Sequence, residues 1–205
     1  MRKEGVGSIM KKIIIASNNN GKISELKKLL EPLNIEVLSQ KEAGINIDIE
    51  EKGSTYSENA TLKATAIFNL KNIPVIADDS GLEIDFLSGK PGIYTARFLG
   101  KDTPYVDKHK KILEMLKNAK DDERTARFIC AICYIDENGE KHIFEEKCEG
   151  KIAYEPKGIN GFGYDPIFEY NGKVFAEMSN IEKNKISHRG KALKKLIEYL
   201  ELNVL

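Results

Sequence analysis

Residues 76–98 read IADDSGLEIDFLSGKPGIYTARF, and the rest of the chain is best arranged around their first half. Pro74, Val75, Ile76 and Ala77 form an apolar run that predicts a buried strand ending near Ala77. Asp78 and Asp79 then stand side by side, and Ser80-Gly81 predicts a turn. Adjacent strand residues project to opposite faces, so regular geometry aims only one carboxylate of the pair at a given cleft. An acidic pair at a strand's C-terminal end is a seat for a hard cation such as Mg²⁺, which takes oxygen ligands. Surface turns use the same residue types, so the pair decides nothing by itself.

Upstream, Ile13, Ile14 and Ile15 predict a short buried strand, broken at Ser17, Asn18, Asn19, Asn20, Gly21 and Lys22. Ile23, Leu26, Leu30 and Leu33 then recur at helical spacing. A polar loop between strand and helix places free N–H groups and the positive end of a helix dipole beside Lys22, which favours an anion. The spacing is not that of a Walker loop, since GxxxxGK[ST] is absent. Residues 35–38 predict a second strand, and 40–53 an acidic loop with Asp48, Glu50 and Glu51. Residues 55–70 predict a helix whose Ala60, Ala64, Ile67 and Phe68 pack closely on a sheet. Lys63 lies in that helix and reads as an ordinary solvated lysine.

Downstream, residues 104–116 predict a helix packed through Val106, Ile112, Leu113 and Leu116. Residues 124–135 and 141–148 predict a hairpin around Asn138-Gly139. Cys130 and Cys133 spell C-x-x-C, but positions three apart in a strand face opposite sides, which argues against a metal or redox pair. Residues 158–168, GINGFGYDPIF, let backbone approach a ligand closely and carry Phe162, an aromatic able to stack on a base. Ser187 caps a final helix running through Leu193, Leu196 and Leu200.

The 205 residues suit one domain, read here as 10–205, with residues 1–9 a disordered extension before any patterned segment. Lys plus Arg is 32 and Asp plus Glu is 32, which leaves no electrostatic footprint for a nucleic-acid polymer. No apolar run approaches a membrane span, no signal-peptide core is present, and 3 cysteines suggest no disulfide framework. The expectation is a soluble, cytoplasmic protein.

These residues together resemble the inosine triphosphate pyrophosphatase family. Ala77-Asp78-Asp79-Ser80-Gly81 with Pro91-Gly92-Ile93-Tyr94-Thr95-Ala96-Arg97, and Ser187-His188-Arg189-Gly190-Lys191-Ala192, are its most specific motifs. Phe162-Gly163-Tyr164-Asp165-Pro166 is nearly as diagnostic. The family's Thr-Gly-Asn-x-x-Lys loop stands here as residues 17–22, with Asn18 in place of its glycine.

The resemblance implies an α/β fold in which a long twisted mixed sheet is flanked by helices, forming two lobes with a central nucleotide cleft. It implies a homodimer that hydrolyses ITP, dITP or XTP to monophosphate and pyrophosphate with Mg²⁺. Asp79 is implied as the water-activating residue and, with Glu50, as metal ligand, although Glu51 stands next door. Ser17, Asn18, Asn19, Asn20, Gly21, Lys22 and Lys63 would hold the phosphates, and Ser80 would contribute a hydroxyl. Phe162, Gly163, Tyr164, Asp165, Lys183, His188 and Arg189 would bind the base. A 6-oxo group accepts hydrogen bonds where the adenine amino group donates them. Donors from Arg189 and His188 would therefore be left unpaired by adenine. Two rival classes, a pyrophosphatase for modified pyrimidine nucleotides and a non-catalytic nucleotide binder, lack these motifs or do not require them.

Overall fold

The computed structural model describes residues 11–204. The expected extension at 1–9 therefore lies outside the described residues. Strand β1 (Lys12–Ile15) lies parallel between β2 (Glu36–Ser39) and β3 (Val75–Ile84). From β3 onward every pairing is antiparallel, through β4 (Thr125–Ile135), β5 (Lys141–Ile152), β6 (Phe168–Tyr170) and β7 (Lys173–Val174). The result is a mixed sheet of 7 strands in the order β2-β1-β3-β4-β5-β6-β7.

Alternation along the strands assigns each helix a face. Ile13, Ile15, Ile76 and Tyr134 meet Leu26 and Leu30 of α1 (Asn20–Leu30) and Leu193, Leu196 and Leu200 of α5 (His188–Asn203). On the opposite face Ile14, Val75, Ala77 and Ile135 meet Ala60, Ala64 and Ile67 of α2 (Tyr56–Lys71). The alanines let α2 lie close to the sheet. A third cluster joins Leu82 and Phe128 to Ile112 and Leu116 on and just beyond α3 (Tyr105–Met115), and to Phe168 and Phe175. Val106, expected on the packed side of α3, is exposed. Cys130 and Cys133 do fall in opposite clusters; both are buried free thiols, and burial pushes the Cys130 thiol up to about 12.

The expected strand end at Ala77 is wrong. β3 runs on to Ile84, pairing Asp78 with Ile132, Asp79 with Ala131, Ser80 with Cys130 and Gly81 with Ile129. Strand β4 is 11 residues long and offers a partner at each position, so the ladder overrides the local turn preference of Ser-Gly. Gly81 is there for close approach: a Cβ would sit 2.4 Å from the Gly92 carbonyl oxygen and 2.7 Å from the Tyr56 ring. Strand β5 likewise extends to Ile152, past the expected end at Cys148, because β6 pairs with Lys151 and Ile152.

The connection after β1 sends α1 to one face, and the connection before β3 sends α2 to the other. The β1–β3 ladder stops at Ile15 and Ile76, so β3 from Asp78 onward has lost that neighbour. A reversal of winding at the C-terminal ends of parallel strands leaves a crevice where ligands of open α/β sheets bind. The acidic pair stands at that point. No helix among the described residues is long and apolar enough to cross a membrane.

Candidate active site

A cavity of about 580 Å³ opens at this crevice. Its lining includes Ser17, Asn18, Asn19 and Lys22 after β1, Glu50, Glu51 and Lys63, Asp79 and Ser80 on β3, and Phe162, Gly163, Tyr164, Asp165, Lys183, His188 and Arg189. Of the expected substrate residues, only Asn20 and Gly21 fall outside it. Gly21 instead lies beneath the Phe162 ring, where a Cβ would come within 2.8 Å of it.

The loop after β1 is organised by Asn19, the N-cap of α1, whose side chain accepts from the Gly21 and Lys22 amides at 3.0 and 3.2 Å. Those two donors are therefore spent on the cap and are not free for an anion. The loop's charge contribution comes from Lys22, whose ammonium is 3.1 Å from Asp78 Oδ2.

Alternation along β3 divides the site in two. Asp78 and Ser80 face α1 and α5: Arg189 donates to Asp78 Oδ2 at 3.3 Å and to Ser80 Oγ at 2.9 Å. Asp79 faces α2, where Lys63 Nζ is 3.7 Å from its Oδ1 and donates to the Asp78 carbonyl and to Glu51 Oε1, each at 2.7 Å. Lys63 is thus held inside the site and is not the solvated lysine its helix position suggests. Burial pushes the Asp78 carboxyl up, but Lys22, Arg189 and Lys63 outweigh it and hold the group well below the usual range. For Asp79 burial prevails over Lys63 and Lys22, and its carboxyl is raised.

Among the described residues, Asp79 Oδ2 is buried without a hydrogen-bond partner, and so is Asp78 Oδ1. An under-compensated carboxylate with a free buried oxygen, beside further carboxylates, suits a hard divalent cation. The two glutamates of the acidic loop differ. Glu51 has a side-chain exposure of 21% and takes Lys63, with Arg97 at 3.8 Å, whereas Glu50 is 73% exposed and pairs with Lys52 at 3.0 Å. The structure therefore brings Glu51, not Glu50, onto the Lys63 ammonium that Asp79 approaches, while both line the cavity. A separate cluster of Asp136, Glu140 and His142 lies at the β4–β5 turn, outside this lining. Asp136 Oδ1 there accepts the Asn138 and Glu140 amides at 2.9 Å each, which ties the hairpin turn, and His142 Nε2 meets the Tyr199 hydroxyl of α5 at 3.0 Å, which ties the hairpin to that helix.

At the far end, Lys183 of α4 (Asn180–Ile186) donates to Asp165 Oδ2 at 2.7 Å and sits 4.8 Å from the Phe162 ring centre. His188 is stacked on Phe128 at 4.6 Å, and its Nδ1 is buried without a partner among the described residues. Burial, then the charges of Arg189 and Lys183, hold that imidazole neutral, well below its ordinary pKa. Gly190 allows α5 to begin here, since a Cβ would lie 1.8 Å from the Asn184 carbonyl oxygen. Glu25 of α1 ties this end together, accepting from Lys183 at 3.0 Å and from Arg189 at 2.7 Å. The motifs did not point to it, yet it follows Lys22 by three positions, and residues three apart share a helix face. Tyr105 and Arg97 also line the cavity and were not anticipated as site residues.

A crevice at a reversal of strand winding, with lysines and carboxylates at one end and an aromatic, donor-rich pocket at the other, defines an α/β protein built to hold a phosphorylated, flat-ringed ligand. The chain belongs to the Ham1 family, whose model matches residues 13–199. It is 49% identical over 201 residues to the dITP/XTP pyrophosphatase of Clostridium perfringens, covering 94% of this chain and 98% of that protein. It is 48% identical to the protein of the same name from Bacillus subtilis, with the same shares covered. The fold matches the HAM1 protein of Coxiella burnetii with a TM-score of 0.85 and 42% identity, over 94% of this chain and 99% of that one. The Staphylococcus aureus Ham1 protein gives 0.83 and 41%, over 93% and 98%.

Proposed function

We propose that the chain hydrolyses ITP, dITP and XTP to the monophosphate and pyrophosphate, removing non-standard purine triphosphates from the nucleotide pool. The observation that carries this reading is the two-ended crevice around β3, with a partnerless Asp79 oxygen at one end and the Phe162–Asp165–Lys183–Arg189 pocket at the other. The dITP/XTP pyrophosphatase of Clostridium perfringens, 49% identical to this chain, supports it.

Asp79 and Glu50 would hold Mg²⁺, while Glu51 keeps Lys63 in place. When bound, the ion supplies positive charge against the triphosphate and its leaving group. Asp79 orients the attacking water toward the α-phosphorus and accepts its proton late in the step. Lys22 and Lys63 neutralise charge that grows on the departing pyrophosphate. Ser80 fixes the Arg189 guanidinium and offers its hydroxyl to the nucleotide. At the other end Phe162 stacks on the ring, while His188 and Arg189 present donors to its oxo group. Adenine reverses that polarity and leaves buried donors unpaired. The whole of 10–205 acts as one catalytic domain in a cytoplasmic homodimer, with the helices forming two lobes about a central nucleotide cleft.

Incubation of the purified protein with ITP and Mg²⁺ tests the reaction by its products. Pyrophosphate equimolar with IMP is expected, and chelation of the metal should stop its release. Orthophosphate in stoichiometric amount, with no separate pyrophosphatase present, contradicts the reading.

A further inference from the structure

His109 makes a bond to the glycine-rich loop for which neither the phosphate nor the base contacts above account. It is buried in α3, and its Nε2 is 2.8 Å from the Gly163 carbonyl oxygen. A ring nitrogen facing a carbonyl must carry the proton, so His109 donates and Gly163 accepts. Gly163 has a φ of 64°, inside the left-handed region that favours glycine. The turn around it is also tied by the Phe162 amide to Asp165 Oδ2 at 2.8 Å, and by the Tyr164 hydroxyl to the Thr95 carbonyl at 3.1 Å.

In a trans peptide the carbonyl and the next N–H point in opposite directions. Holding the Gly163 carbonyl against α3 therefore turns the Tyr164 N–H away from α3. That N–H has no hydrogen-bond partner among the described residues, although Tyr164 is only 2% exposed. Buried amides without partners are rare. Gly163 and Tyr164 both line the cavity, beside Phe162 and Asp165.

We propose that His109 is a positioning residue for specificity: through the Gly163 carbonyl it aims the Tyr164 amide as a backbone donor at the oxo group of the bound base. The inference rests on the purine-nucleotide reading above and names a selecting donor that no side chain supplies. His109 itself touches neither the base nor the reacting atoms.

The test compares His109→Leu and His109→Gln on ITP and on purine riboside triphosphate, which has no 6-substituent. Losing one neutral hydrogen bond should lower kcat/KM for ITP by about 3- to 10-fold in His109→Leu. The loss should fall mainly on KM, and purine riboside triphosphate should change less than about twofold. The glutamine amide can donate, so His109→Gln should recover most of the ITP value. Equal losses on both substrates, or no recovery with glutamine, overturn the proposal. Should His109→Leu fail to fold, the Tyr164 amide proton of the unaltered protein gives the answer by NMR. It should move downfield on adding IMP and not on adding AMP, and an unmoved signal with IMP overturns the proposal. This readout needs no turnover, so it is separable from failure of the functional reading, which absence of pyrophosphate release from ITP would reveal.

Discussion

Asp79→Asn is expected to lower ITP turnover by at least about 10³-fold, comparable to removing a preorganised charge-stabilising group, while leaving the melting temperature nearly unchanged. Asp79 Oδ1 accepts the Ser80 amide at 3.0 Å, and an asparagine carbonyl can take that place. The other oxygen is buried without a partner, and burial raises the carboxyl's pKa, so the negative charge works against the folded state. Replacing it with an amide removes the anion that the proposed reaction needs and relieves an unfavourable burial of charge. Initial rates of pyrophosphate release, measured beside thermal melts, check both halves. Residual activity above about one tenth of the original would remove Asp79 from the centre of the chemistry, given the usual size of such effects.

The neighbouring substitution should behave in the opposite way. Asp78→Asn is expected to cost about 3–5 kcal/mol of stability, the usual penalty for breaking a buried ion pair by deleting one partner. Asp78 is buried, with Lys22 at 3.1 Å and Arg189 at 3.3 Å on its Oδ2. Without its charge those two cations face each other, and Glu25 alone remains to hold Arg189 by charge. For a chain of this size the penalty is a fall of roughly 6–20 °C in melting temperature. Calorimetry on the two aspartate variants side by side reads the difference. A normal melt for Asp78→Asn would show that the Lys22–Asp78–Arg189 linkage carries no stability.

That Asp78 and Asp79 project to opposite faces was legible from strand alternation, as were the hairpin at Asn138-Gly139 and the alanine face of α2; the preference for Asp79 came from the family resemblance. The length of β3 was not legible, because Ser80-Gly81 has local turn chemistry and only the partner strand β4, far along the chain, keeps it extended. Lys63 misled for a similar reason: on its helix it is one lysine among many. Its role depends on Glu51 and the Asp78 carbonyl, 12 and 15 residues away. Which of Glu50 and Glu51 meets Lys63 turned on loop geometry that carries no periodic signal. Glu25 was within reach of a helical-wheel argument from Lys22, but its partners Lys183 and Arg189 lie 158 and 164 residues away.

On the proposed function, one crevice has a phosphate end shared by all triphosphates and a base end that selects among them. The most direct measurement is kcat/KM for ITP and for ATP in the unaltered protein, in Lys22→Ala and in Arg189→Ala. A ratio of the two constants is independent of the folded fraction, which matters because Arg189 is bonded to Asp78, Glu25 and Ser80. Lys22→Ala should lower both constants together and leave the ITP-to-ATP ratio within about twofold, because every triphosphate shares its contact. Arg189→Ala should lower the ratio by roughly one to two decades, the worth of about 1.5–3 kcal/mol for a charge-assisted hydrogen bond that adenine never makes. A ratio unchanged in Arg189→Ala, or one that collapses in Lys22→Ala, would contradict the assignment of the two ends.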